Sequence, residues 1–351
     1  MDTHRESSMY SIIRLLTATI LVITLTVGGV LVVAQADTPP GHLTGGQIYD
    51  LPGWFKKSFL VLGEDVQEAS AQGRHVLLFF HLAECPYCSR LLDENFRSGD
   101  TQVFAEKYFD VIAIDLRGGH TVEWIDGESY SEKQLAAKLK VVATPTMMFF
   151  DHSGKTVLRL NGYRHPRSLR QALDFVQAKQ YRSQSLVSYV AQQKNAVVYQ
   201  LRADQRFSPM TDFKGYSGPL AVFIEDKDCV DCAEFHAKVL DRAEVQPELA
   251  QFKLVRLDGY SRDSIIDPSG KKTTPQEWAQ RLNVIYRPGV VLFNEGKERA
   301  RMDGMLYHFH FKELLRYVSG KHYRRHASFS SYNAERREQL LKRGVVIDYA
   351  Q

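Results

Sequence analysis

The 351-residue chain holds four cysteines in two pairs of equal spacing: Cys85 and Cys88 in ECPYCSR, Cys229 and Cys232 in DKDCVDCAE. Sulfur atoms set two residues apart can exchange disulfides, ligate a metal, or staple the backbone. Stapling is the weakest use, because so short a loop removes little chain entropy. Exchange needs one cysteine with a lowered pKa, since the thiolate is the attacking species. A helix N-terminus supplies this through unpaired backbone N–H groups and the helix dipole. Cys85 is the expected nucleophile. Cys88, one turn on, can then attack the mixed disulfide and release product. Pro86 suits the first turn, where its missing N–H costs nothing, and Tyr87 sets a flat apolar surface beside the sulfur.

Composition bounds the setting. Apolar residues make up 44%, charged residues 25%, and the formal net charge is +4, with Lys and Arg scattered among Asp and Glu. That suits about two globular domains and gives no nucleic-acid-binding patch; KHYRRH at 321–326 reads as a solvated helix end. Near the N-terminus His4, Arg5 and Arg14 precede an apolar run from Leu15 to Val33, 19 residues, closed by Ala34-Gln35-Ala36. This is the order of a secretory signal peptide, cleaved near Ala36. The run is also nearly long enough to span a bilayer, so an uncleaved anchor through 15–33 is the alternative. Either way the expectation is export. Outside the cytosol structural disulfides usually join distant cysteines, so two C-x-x-C pairs favour reversible chemistry.

The elements that must position these sulfurs occur twice. LAAKLKVVATPTMMFFDHSGKTVLRLNGY (135–163) and WAQRLNVIYRPGVVLFNEGKERARMDGML (278–306) both read as a helix end, a proline, an apolar strand, a Gly turn and a second strand. The offset is nearly constant: 144 from Cys85 to Cys229, 143 from Asp115 to Asp258 and from Pro145 to Pro288, 142 from Tyr181 to Tyr323. In each copy an apolar strand (75–80; 219–224) runs into the cysteines, which open a helix (87–95; 231–240). A second strand follows (111–116; 252–257), then an insertion, the proline-led pair and a closing helix (166–177; 311–318). Strands alternating with helices predict an α/β sheet covered on both faces. A further helix is expected over 331–344, stopped by Gly344.

A strand, a C-x-x-C at a helix start and a Thr-Pro-led strand 60 residues on resemble the thioredoxin fold. The first copy resembles the SoxW-type periplasmic thioredoxin-like proteins, through FFHLAECPYCSRLLDENF, IDLRG, YSEKQLAAKLKVVATPTMMFFDHSGK and LRLNGYRHP. The second copy matches in layout and in its cysteine and proline positions. The resemblance implies two tandem thioredoxin-like domains, each a three-layer α/β/α sandwich on a mixed sheet: residues 1–36 signal or anchor, 37–190 domain 1, 191–215 linker, 216–351 domain 2 with a C-terminal helix. It also implies a cis peptide before Pro145 and Pro288, with Thr144 presenting its backbone to an extended substrate. The expected activity is thiol–disulfide oxidoreduction, in the reducing direction, on oxidised periplasmic proteins of sulfur metabolism or cytochrome maturation. A membrane thiol transporter is the implied electron donor, and no cofactor is implied. One departure stands out: the buried Asp many thioredoxins carry six residues before the first cysteine is here Phe79 and Phe223. Glu84 beside Cys85 reads as a tuning charge or a solvated one.

Copy two leaves three readings open. Asp226, Asp228, Asp231 and Glu234 crowd Cys229 and Cys232 and disfavour a thiolate, unless Arg287, before Pro288, points at the sulfurs. The pair is read first as a second redox dithiol, next as a stable or regulatory disulfide, and last as a zinc site completed by His236. For the whole chain the rivals are a redox-inert scaffold with two static disulfides, and a disulfide oxidase or isomerase. His120 and Trp124 read as a surface loop, Met147 and Met148 as core, and His308 and His310 in YHFHF as one face of an extended segment.

Overall fold

The computed structural model of the protein describes residues 39–193 and 197–350. The expected signal or anchor segment lies outside the described residues, among which no helix is long and apolar enough to cross a membrane.

Leu43–Thr44 forms a short strand β1. Helix α1 (Leu62–Ala71) then precedes β2 (His75–His81), α2 (Pro86–Asn95), α3 (Gly99–Tyr108) and β3 (Phe109–Asp115). A hairpin of β4 (Thr121–Glu123) and β5 (Ser129–Ser131) leads into α4 (Glu132–Lys138), β6 (Thr146–Phe150), β7 (Thr156–Asn161), α5 (Pro166–Gln177) and α6 (Leu186–Gln192). The sheet order is β3-β2-β6-β7, with only the β2–β3 pair parallel. Alternation along β2 sends Val76, Leu78 and Phe80 to the face covered by α1 and α4, and Leu77 and Phe79 to the face covered by α2 and α5. Met147 and Met148 are core on opposite faces. Trp124 packs on Phe150 on the α1 side, away from the cysteines.

The second half repeats this plan with β8 (Leu220–Glu225), α7 (Cys232–Phe235), a π-helical stretch His236–Leu240, α8 (Gln246–Leu249) and β9 (Lys253–Asp258). The short strands β10 (Ile265–Ile266) and β11 (Lys272–Thr273) follow, then α9 (Pro275–Arg281), β12 (Gly289–Asn294), β13 (Lys297–Met302) and α10 (His308–Ser319). The sheet order β9-β8-β12-β13 matches the first. Two expectations need correcting. YHFHF is not extended: Tyr307 caps α10, so His308 and His310 lie on a helix. The helix after the second cysteine pair begins only at Cys232 and widens after one turn, because Cys229–Asp231 is used as a turn.

The helical faces of the two halves meet. One apolar cluster runs from Phe79, Leu91 and Phe149 of the first sheet to Phe223, Phe235 and Leu292 of the second. Equivalent residues of the two copies touch their own counterparts, as at a two-fold axis. Arg90 makes a bidentate ion pair with Glu234, 144 positions later, at 3.1 and 2.9 Å. Asn161 donates to Asp303 at 2.9 Å, 142 positions later. Gly162 lies against Gly304: a Cβ on Gly304 would stand 3.0 Å from Gly162 Cα and 2.6 Å from the Asn161 carbonyl oxygen. The last helix, α11 (Phe329–Lys342), places Ser330 against the Val142 carbonyl of the first half. β14 (Ile347–Asp348) then pairs in parallel with β1 and ties the two ends of the described chain together.

Gly304→Ala is expected to cost about 1–3 kcal/mol, because the methyl group meets backbone that cannot yield. Gly53, with open space around its Cβ direction, is the control; urea midpoints of both variants decide it. A second prediction concerns His75, which is 2% exposed, stands beside His152 and has its pKa pushed down to about 4, chiefly by burial. The folded state then binds fewer protons than the unfolded chain between pH 6.5 and 4. Its contribution is complete above about pH 6.5 and falls by roughly 2–3 kcal/mol as the pH drops to about 4. The loss of urea stability between pH 7 and 4.5 should therefore shrink in His75→Leu.

Candidate active site

In the first half, the apolar strand β2 delivers Cys85 to the N-cap of α2, with Pro86 as first helical residue. The backbone N–H of Cys88 points at Cys85 Sγ, 3.1 Å away. Thr144–Pro145 is cis and brings the β6 loop onto the same sulfur: Thr144 Oγ1 is 3.4 Å and the Thr144 carbonyl oxygen 3.7 Å from it. Cys85 and Cys88 are joined as a disulfide with Cα atoms 5.2 Å apart. Cys85 retains 7% exposure, and the rim beside it, Ala83, Glu84, Val142 and Ala143, is exposed. A thiolate at Cys85 would therefore have an N–H donor, a hydroxyl and the positive end of a ten-residue helix around it.

Tyr87 is not a free surface beside the sulfur. Its ring stacks on Tyr307 of the second half, centroids 4.6 Å apart. Its hydroxyl accepts from the Tyr307 N–H at 2.9 Å and lies 3.0 Å from His310 Nδ1. Domain 2 thus forms one wall of the first centre.

The second half assembles its centre differently. Arg287–Pro288 is cis, and Cys229 and Cys232 form a disulfide with Cα atoms 5.5 Å apart. Cys229 belongs to the turn before the helix, its N–H donating to the Asp226 carbonyl, so it receives no helix N-terminus. It is 1% exposed and Cys232 is fully covered, with the Tyr199 ring packed on both. The Tyr199 hydroxyl donates to Glu225, and Glu225 also holds His236 at 2.6 Å. His236 therefore has a partner other than a metal. Among the described residues no group of three or more His, Cys, Asp or Glu is placed to hold a metal ion. Arg287 does not serve the sulfurs: its Nε donates to Asp226 at 2.6 Å and its Nη1 to the Val284 carbonyl. The other acids are engaged too, Asp228 by Tyr260, Asp231 by Tyr286 and Glu234 by Arg90. Burial raises the pKa of Asp231. A cavity of about 70 Å³ beside Val230 and Arg287 is walled by Leu186, Val187 and Val190 of α6, so the first half's closing helices seat over this centre.

His81 and Glu225, four residues before the first cysteine of each pair, were not singled out by sequence reasoning. Each ends a strand on the α2-type face, two residues beyond Phe79 or Phe223, and each meets a tyrosine from a preceding segment: Tyr49 with His81 at 3.1 Å, Tyr199 with Glu225 at 2.9 Å. Their signal was a polar residue closing an otherwise apolar strand at the same place in both copies. Burial lowers the pKa of His81.

Comparison with known proteins accords with this arrangement. The thioredoxin-like domain family matches the chain twice, over 62–177 and 208–319. No curated protein is matched. Similar solved structures include a thioredoxin-fold protein from Helicobacter pylori (21% identity, 38% of this chain and 96% of that one, TM-score 0.31). A thioredoxin from Thermus thermophilus is 26% identical over 34% of this chain and 85% of its own, TM-score 0.28.

The two centres should separate chemically. After reduction, iodoacetamide at pH 7 is expected to modify Cys85 at least about tenfold faster than Cys229, the equivalent of one unit in thiolate pKa. Mass spectrometry of the two cysteine peptides measures this.

Proposed function

The chain belongs to the thioredoxin-like domain family in both halves, and from that premise we propose that it is an exported disulfide reductase working through Cys85 and Cys88. The observation that carries this reading is the contrast at the first cysteine of each pair. Cys85 caps a helix, receives the Cys88 N–H and faces Thr144 and cis-Pro145; Cys229 sits in a turn under Tyr199. The Cys85 thiolate attacks a substrate disulfide, forming a mixed disulfide and expelling one substrate thiolate. Cys88 then attacks Cys85 Sγ, which releases the second substrate thiolate and leaves Cys85–Cys88 oxidised. Two electrons have passed to the substrate, and an external dithiol donor must return them. A membrane thiol transporter is the donor class implied by resemblance to SoxW-type proteins, and oxidised periplasmic proteins are the substrate class. The apolar segment at 15–33 supports export.

Cys229–Cys232, with Pro288, is read as a covered disulfide that takes no part in turnover. Its sulfurs face Tyr199, and the place a substrate chain would take is lined by α6.

The test is reduction of a protein disulfide such as that of insulin, with dithiothreitol as donor. Cys85→Ser/Cys88→Ser is expected to abolish turnover, and Cys229→Ser/Cys232→Ser to keep most of it. Activity surviving the first change and lost in the second would move the reaction to domain 2. A Cys85–Cys88 potential near −120 mV, rather than roughly −270 mV, would make the protein an oxidase.

A further inference from the structure

Tyr87 is the second residue of α2, in the turn whose free N–H groups face Cys85. Such a turn is held only by its cap and by what its side chains grip. Here the grip comes from residues more than 200 positions later. Tyr307 stacks on the ring and donates its N–H to the hydroxyl, which leaves the hydroxyl's own proton for His310 Nδ1. With Nδ1 accepting that proton, His310 is the neutral imidazole protonated on Nε2. Burial, with Arg337 and His308 nearby, holds its pKa down to about 4, and the Tyr349 ring covers it at 4.7 Å.

The second centre is an internal comparison. Asp231 occupies the place of Tyr87 there, and its carboxylate is held by Tyr286 of its own half. The helix begins after it, and Cys229 loses the N–H that Cys85 receives. Tyr87 is stacked on and hydrogen-bonded by the other half and its turn stays in the helix; Asp231, on which His165 and Arg90 of the other half act only through charge, lies before the helix start.

We propose that His310 is a positioning residue for the Cys85–Cys88 centre, acting through the Tyr87 hydroxyl to hold the first turn of α2, and with it the Cys88 N–H, against Cys85 Sγ. Domain 2 would then set the reactivity of domain 1 without lending it a sulfur. This rests on the reading that Cys85–Cys88 is the working pair.

Three full-chain variants test it: His310→Leu, which removes the acceptor, His310→Asn, whose amide oxygen can take the place of Nδ1, and Tyr87→Phe, which keeps the ring stack and loses the hydroxyl. The readouts are the alkylation rate of the Cys85 peptide at pH 7 and the Cys85–Cys88 potential against glutathione. His310→Leu and Tyr87→Phe are expected to slow alkylation about three- to tenfold. They should make the pair more reducing, by about 30 mV for a tenfold change in the exchange constant. His310→Asn should restore most of both. Parent-like values in the Leu or Phe variant overturn the proposal, as do equal losses in Leu and Asn, which would mark a packing role. If His310→Leu does not fold, Tyr87→Phe decides. Neither readout uses a protein substrate, so a parent that fails to turn over insulin refutes the proposed function separately.

Discussion

The ion pair between Arg90 and Glu234 shows what the duplication demanded. When two copies of one fold pack about a near-two-fold axis, a residue on the axis meets its own equivalent. Identical charged side chains there would repel, so the position must become small, apolar or complementary. This chain uses two of these solutions: complementary pairs, arginine against glutamate and asparagine against aspartate, and a small pair, glycine against glycine. The first is bidentate and mostly covered, with side-chain exposures of 20% and 25%, and each partner holds a second one in its own half, Glu94 for Arg90 and Lys238 for Glu234. Both helical faces become core only because these axial positions fit, and each half covers the other's cysteines as a result.

The two centres diverge within that frame for local reasons. In the first, proline at the first helical position lets α2 start directly after Cys85, and the helix end faces the sulfur. In the second, Val230 replaces that proline and Asp231 turns to Tyr286, so the helix starts late and widens at once into a π turn. The acids around Cys229, which look repulsive in sequence, are each spent on a named partner. Tyr199 packs against that disulfide, and α6 lines the cavity beside Val230 next to it.

Most of the fold was legible because it depends on local signals. The apolar runs at 75–80 and 219–224 name the central strands within a residue or two. The closing helix predicted at 166–177 is observed over those residues, and the prolines mark both cis bonds. What escaped depended on the other copy. Tyr307–Phe311 alternates polar and aromatic residues as a strand would, yet it folds as a helix because Phe311, Leu314 and Leu315 are buried in the joint core. The hold of His310 on Tyr87 spans 223 residues and has no periodicity to betray it. Likewise Arg287 read as a candidate thiolate partner, since sequence adjacency to proline cannot show that Asp226 would claim its guanidinium.

The hydrogen bond between the Tyr307 N–H and the Tyr87 hydroxyl also has a clock in it. The two residues are 220 positions apart. A ribosome adding 5–20 residues per second needs roughly 10–45 s between making one and making the other. Through that interval the first pair of cysteines belongs to a chain that has yet to make its wall from domain 2. The wall that Tyr307 and His310 raise beside Cys85 is therefore a late addition, with α11 and β14 still to follow it.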